Sequence, residues 1–316
     1  AQKDGKPGVH DQYHTLDEKN GQPGSILLSG ASSIFPIQPR GNRPFLFIVS
    51  GVHAEPDGFY RYLSCIIPSL GLDQPVYGLR PRGLLGSEQP HDSIEDMAAD
   101  YIKEIRLIQP KGPYFIGGEC IGGLAAYEIV RQLEKSDDDI GVLLLLDTVH
   151  VSKLKNFYYY TSKMFFDLKQ YARRVIVFII SNKPNLVKAF KNFLKRKISL
   201  SSEKNTRDRE LRHIRDVEAH YLKVLRKYRP ERIKSRIVLI ANEEDNAIEK
   251  DLGWRILYNE KSFKDSHGCT TGNFKSIIVK GNHITRLTVY GMYTGALIRK
   301  EIDNAASGSH DPDLNK

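Results

Sequence analysis

Short unbroken apolar runs, separated by stretches of helical spacing, organise the middle of this chain. Residues 45–49 (FLFIV) and 76–79 (VYGL) are continuous runs, as expected of strands buried on both faces of a parallel sheet. Between them, residues 59–70 repeat their apolar positions at helical intervals. Ser93-Ile94-Glu95-Asp96 resembles a capping box, and it opens a helix carried through Ile102, Ile105 and Ile108 to a stop at Gln109-Pro110. Residues 114–117 make the next strand, 124–133 the next helix, and 142–146 a strand that ends at Asp147. Two more strands are expected at 237–241 and 277–279.

Strands alternating with helices imply right-handed crossovers and a mostly parallel sheet flanked by helices. The rhythm breaks between about 150 and 230, where the pattern is helical, aromatic around Phe157-Tyr158-Tyr159-Tyr160, and basic. We read that stretch as a helical lid inserted above the sheet. The expected organisation is then a leader at 1–35, a first part of the core at 36–149, the insertion at 150–230, a second part of the core at 231–302, and a disordered tail at 303–316. The leader begins at Ala1, is polar and lacks the apolar core of a signal peptide, so it reads as a linker from a longer polypeptide.

Composition narrows the class. With 40% hydrophobic and 27% charged residues in 316, the chain is ordinary for a globular protein with a sizeable core. No apolar stretch approaches the roughly 20 residues of a membrane span. Cys65, Cys120 and Cys269 are odd in number and lack metal-ligand spacing, which argues against a disulfide framework or a zinc site and for a reducing, cytoplasmic setting. The net charge of +9 is concentrated at 151–200, where twelve Lys and Arg face a single acid, Asp167. Such a block either forms a solvated helical face or attracts an acidic partner.

The chemistry lies in residues 117–123, GGECIGG, directly after the strand at 114–117. Strand, then Gly118-Glu119-Cys120-Ile121-Gly122, then helix is a nucleophile elbow with cysteine in the usual place of serine. The turn is so tight that the residues two before and two after the nucleophile must be small, and Gly118 and Gly122 fill those places. A thiol there sits at a helix N-terminus, whose unpaired N–H groups point at the site. The bland alternative is a glycine-rich turn with Cys120 as a buried filler.

An elbow nucleophile needs an acid and then a histidine further along the chain. Asp147 ends the next strand and should emerge on the same sheet edge; Glu243-Glu244-Asp245 is an alternative acid. His283, in Gly281-Asn282-His283 after the last strand, is the candidate base, whereas His213 and His220 fall in a helical pattern. Two backbone N–H groups must hold the oxyanion: that of Ile121, and one from the loop 50–54, with His53 the preferred donor.

These stretches resemble the type I thioesterase domains that terminate nonribosomal peptide synthetase and polyketide synthase assembly lines. The likeness is carried by PIQPRGNRPFLFIVSG, VYGLRPRG, SIEDMAADYIKEIRLIQPKGPYFIGGECIGG, LLLLDT, LRKYRPERIKSRIVLIANEE, DLGW and GNHITRL, spread over about 36 to 290. It implies an α/β-hydrolase fold with a helical lid, Cys120 as acyl acceptor, Asp147 as acid and His283 as base. It also implies no bound cofactor, with the acyl thioester substrate delivered on the phosphopantetheine of an acyl or peptidyl carrier domain, and no nucleic acid or membrane span. In that family the nucleophile is usually serine, and His-Pro usually stands where this chain has Gly51-Val52. The cysteine favours cyclising or aminolytic release over hydrolysis. Competing readings are a stand-alone proofreading thioesterase, a dienelactone-hydrolase-like enzyme, which would lack the long insertion before the histidine, and a hydrolase-fold binding module without catalysis.

Overall fold

The computed structural model describes residues 33–51, 65–84, 88–154, 201–258, 273–283 and 285–307. Among them, β1 (Ile34–Gln38), β2 (Leu46–Val49), β3 (Val76–Leu79), β4 (Tyr114–Glu119), β5 (Ile140–Leu146), β6 (Ile237–Asn242) and β7 (Phe274–Val279) join in one sheet, ordered β1-β3-β2-β4-β5-β6-β7. Every pairing is parallel except β1 with β3. Helix α1 (Ile67–Leu70) lies between β2 and β3, α2 (Ile94–Ile108) between β3 and β4, and α3 (Gly122–Lys135) between β4 and β5. The later helices are α4 (Ser201–Lys227), α5 (Glu243–Ile248), α6 (Thr285–Thr288) and α7 (Gly291–Ala306).

The continuous apolar runs arise because both sheet faces are covered. Along β5, Leu143 and Leu145 join a core with Tyr101 of α2 and Leu124 and Tyr127 of α3. Val142, Leu144 and Leu146 point the other way, into a core with Ile298 and Ile302 of α7. Period-two alternation thus survives in space although the sequence reads as unbroken leucine. Helix α2 starts where its cap predicts, with the Ser93 hydroxyl accepting the Asp96 N–H at 3.0 Å.

Two boundaries differ from the sequence expectation. The antiparallel strand β1 was not anticipated, and it begins at Ile34, inside the stretch read as leader. Its Pro36 cannot donate to a ladder, a loss tolerated because β1 forms the sheet's edge. Helix α7 runs to Ala306, so residues 303–306 are helical rather than tail. Buried Ile302 and ion pairs from Asp303 to Arg43 and Arg299 extend it. Of the stretch read as a lid, residues 155–200 lie outside the described residues, including the basic block and the aromatic cluster.

The described part of that stretch contains α4, which is fastened beside the sheet edge that bears the elbow. Val217, Tyr221, Val224 and Leu225 are buried in the α2–α3 core. His213 Nε2 donates to the Gly83 carbonyl at 2.6 Å, His220 Nε2 to the His91 carbonyl at 2.8 Å, and the Tyr221 hydroxyl to the Arg82 carbonyl at 3.0 Å. Both histidines therefore serve as anchors between α4 and the loops around it. No helix among the described residues is long and apolar enough to cross a membrane.

Candidate active site

The elbow forms because β4 must reverse into α3 with almost no room. Cys120 adopts φ 53°, in the left-handed region that an L-residue other than glycine occupies only under constraint. A Cβ added at Gly118 would meet Gly123 Cα at 2.5 Å, and one at Gly122 would meet the Ser50 carbonyl oxygen at 2.4 Å. Those two glycines let the strand and helix close on each other. The Cys120 N–H stays in the ladder, donating to the Leu146 carbonyl at 2.8 Å, so the turn is tied to the end of β5.

The next residue in chain order lies at that same end. Asp147, also left-handed at φ 48°, donates its N–H to the Ile240 carbonyl at 2.9 Å and turns a fully buried carboxylate across the sheet edge. Its Oδ1 accepts the Asn242 N–H at 2.7 Å, and its Oδ2 accepts both Arg286 Nε at 2.6 Å and His283 Nδ1 at 3.0 Å. Burial pushes this carboxyl up, but the Arg286 charge and the His283 hydrogen bond outweigh it and hold Asp147 at about 2.

His283 reaches the site from the loop after β7. Gly281, at φ 92°, makes the turn, and Asn282 Oδ1 accepts the Thr285 N–H at 3.0 Å to start α6. With Nδ1 on Asp147, the tautomer is set so that Nε2 faces the elbow, where it meets Cys120 and also Glu119 Oε1 at 3.4 Å. Burial pushes the imidazole down, yet its hydrogen bonds to Asp147, Cys120 and Glu119 overcome it and hold His283 well above the usual histidine range. Thiol, imidazole and buried carboxylate thus stand in series.

Two neighbours carried no signal in the sequence. Arg286, three residues after His283, is fully buried against Asp147. Glu119, the last residue of an otherwise apolar β4, is 8% exposed and turned to the imidazole. Ligand atoms of Glu119, Cys120 and His283 lie within 4.8 Å of one another. A thiolate, an imidazole and a carboxylate so arranged are also a set that a zinc ion accepts.

The remaining candidates sort as follows. Ile121 forms the N-cap of α3, directly after Cys120, which puts its N–H on the elbow. His53, preferred for the second oxyanion donor, lies outside the described residues, as does Cys269. Gly51, the last described residue before His53, lies beside the elbow: a Cβ on it would come within 3.5 Å of Cys120 Cβ. Of the alternative acids, Asp245 is engaged with the Asn242 side chain, which caps α5, and burial raises its pKa. The histidine bonds Asp147 instead. Cys65 sits near α7, where a Cβ on Gly291 would meet its Cβ at 2.7 Å.

Beside Ile121 opens an apolar cleft lined by Pro81, Ile94, Met97, Ala125, Tyr221 and Leu225. Buried Ser50, at the end of β2, also lines it, and its hydroxyl has no hydrogen-bond partner among the described residues. The cleft starts one residue from the thiol.

A mostly parallel sheet, a strained residue on the turn from β4 into α3, and an acid and a histidine from later strand ends define the α/β-hydrolase fold. Solved thioesterase domains have it too: that of NocB, in covalent complex with a fluorophosphonate nocardicin G analogue, matches with TM-score 0.54 at 17% identity over 86% of this chain and 99% of its own. A four-domain nonribosomal peptide synthetase bound to AMP and glycine matches with TM-score 0.58 at 19% identity, over 86% of this chain and 20% of that one. The family model for the thioesterase domain matches residues 60–159.

Among curated proteins, malpinin synthetase of Mortierella alpina is 38% identical over 115 residues, covering 36% of this chain and 1% of that protein. The dimodular nonribosomal peptide synthase of Bacillus subtilis (strain 168) is 35% identical over 120 residues, covering 38% of this chain and 5% of that protein. A non-reducing polyketide synthase of Pseudevernia furfuracea is 38% identical over 134 residues, covering 42% and 6%. This chain therefore spans only a small part of the length of each of these relatives.

Proposed function

We propose that this chain is the thioesterase domain of a nonribosomal peptide or polyketide assembly line, releasing an acyl or peptidyl chain from a phosphopantetheinyl carrier domain through an acyl-cysteine. The observation that carries this reading is the convergence of three residues on one sheet edge: Cys120 on the elbow, His283 within reach of it, and Asp147 3.0 Å behind the imidazole. A binding module would have no use for a buried carboxylate aligned on a histidine that faces a strained thiol.

In the first half-reaction His283 holds the thiol proton as the Cys120 thiolate attacks the thioester carbonyl. A bond forms from Sγ to the carbonyl carbon, the bond to the phosphopantetheine sulfur breaks, and His283 returns the proton to that leaving thiolate. Asp147 fixes the tautomer and stabilises the imidazolium in between. The Ile121 N–H and a donor from the loop after β2 hold the oxyanion. The basic block at 151–200 is the complement of an acidic carrier domain, and a free thiol nucleophile fits a reducing, cytoplasmic setting.

Intact-mass measurement after mixing with acyl N-acetylcysteamine thioesters tests the reading. The protein should gain the acyl mass, peptide mapping should put it on Cys120, and both His283→Ala and Cys120→Ala should abolish it. Acylation elsewhere, or equally fast acylation of His283→Ala, would refute the assignment.

A further inference from the structure

We propose that Glu119 is a second proton acceptor at the acyl-enzyme, and that it makes an amine the preferred nucleophile for release. This rests on the acyl-cysteine reading above and names the class of nucleophile that resolves the intermediate.

Glu119 closes a strand whose six residues are all buried, and its only ion partner among the described residues is His283, at 3.4 Å on Nε2. Burying a carboxylate costs several kcal/mol unless its partners compensate. An apolar residue would terminate β4 as well, since β4 is already paired on both sides by β2 and β5. The carboxylate also spans the reacting centre. Oε1 faces the imidazole, while Oε2 would lie 3.2 Å from a Cβ on Gly51, and that same Cβ would lie 3.5 Å from Cys120 Cβ. A group approaching the carbonyl of acyl-Cys120 therefore meets two bases held beside each other, His283 Nε2 and the Glu119 carboxylate, both within 4.8 Å of the sulfur.

Proton arithmetic separates the possible nucleophiles. Water or an alcohol sheds one proton on attack, and His283 alone takes it. An alkylamine arrives as an ammonium and must shed two. One goes to His283 Nε2, restoring the thiolate–imidazolium pair as the carbon–nitrogen bond forms and the carbon–sulfur bond breaks; the other leaves through Glu119 to solvent. The amide keeps the third hydrogen, and the Cys120 sulfur takes the electron pair of the broken bond. Glu119 also gives the incoming cation an anionic contact next to the carbonyl, so binding and deprotonation use the same group.

The test is a partition experiment. Acyl-Cys120 formed from an N-acetylcysteamine thioester is resolved with butylamine, with butanol, and with methoxyamine, a nitrogen nucleophile that is uncharged at neutral pH; amide, ester and acid are quantified after subtracting uncatalysed product. In the native protein butylamine should be captured ahead of methoxyamine and butanol. Glu119→Gln should lower the amide-to-acid ratio for butylamine by about 10²-fold, the scale of one acid–base group. Glu119→Asp should restore part of it, and the ester-to-acid ratio should move far less. An unchanged amide-to-acid ratio in Glu119→Gln, with acyl-Cys120 still forming, overturns this proposal and leaves thioester release standing. Should the variant not fold, a native protein that shows no preference for butylamine over methoxyamine overturns it equally. Failure of the native protein to acylate Cys120 overturns both readings.

Discussion

Removing Arg286 is the most direct probe of how the site is held together. Arg286 and Asp147 are both fully buried, with Nε 2.6 Å from Oδ2, and the same oxygen accepts His283 Nδ1. Breaking a buried pair from one side leaves an uncompensated charge and costs about 3–5 kcal/mol. Here the carboxylate keeps two donors, the Asn242 N–H and His283, so Arg286→Met should cost about 3 kcal/mol, near the lower end. In a chain of 316 residues that is a fall in Tm of roughly 4–5 °C.

The pH dependence supplies the sign. Asp147 sits at about 2 against a reference of 3.8, so its contribution of about 2 kcal/mol is present above 3.8 and lost as pH falls through 2. In Arg286→Met the carboxyl rises, and the acid-unfolding midpoint should move up with it. His283 behaves oppositely: its contribution is complete below 6.5 and lost as pH climbs through its raised value. Urea titrations of the native protein, Arg286→Met, Asp147→Asn and the double variant close the cycle. If the cost is the stranded charge, Asp147→Asn should regain stability in the Arg286→Met background. An Arg286→Met protein as stable as the native one, or a double variant no better than the single, would refute the account.

Further outcomes follow from the same geometry. Gly122→Ala would drive a Cβ to 2.4 Å from the Ser50 carbonyl, so it should destabilise by about 1–3 kcal/mol and slow Cys120 acylation, measured by melts and intact mass; an unaffected variant would contradict the packed elbow. Zinc should inhibit acylation reversibly, with chelator restoring it and Glu119→Gln weakening the inhibition, because three ligand atoms lie within 4.8 Å. Replacing Lys195, Arg196 and Lys197 by Glu should raise KM for carrier-bound thioesters while sparing small free ones; unchanged carrier kinetics would remove the docking role of the basic block.

How much of this was legible depends on whether the cause is local. The buried strands at β2, β4, β5 and β6 are unbroken apolar runs, and the elbow is a contiguous string, so both stand out. Asp147 and His283 stand out as candidates because topology brings parallel strand ends to one edge, whatever their distance in sequence, and the two side chains do meet at 3.0 Å. Strand β1 escaped because its pattern is broken by Pro36 and only Ile34 is fully buried. Arg286 and Glu119 escaped for a different reason. A buried arginine reads as a surface residue, and an acid beside a nucleophile reads as filler, until the partner that justifies each is seen across the fold.

On the proposed acyl-Cys120 reading, sulfur at the elbow decides what the site can do with its intermediate. Transfer between two thiols leaves the acyl group in a thioester, so little free energy is released in the first step and the carbonyl remains activated for the second. An oxygen nucleophile would drop the intermediate to an oxoester, toward which amines are disproportionately sluggish while hydroxide reacts at a similar rate. Cys120→Ser should therefore still accept acyl groups from N-acetylcysteamine thioesters but lower the amide-to-acid ratio with butylamine at least about tenfold, ~1.4 kcal/mol between the competing barriers. A serine variant that partitions like the native protein would mean that sulfur is incidental to release. Glu119→Gln combined with Cys120→Ser then measures the coupling: the two residues adjoin and share His283, so the combined effect on the ratio should fall short of the product of the single ones.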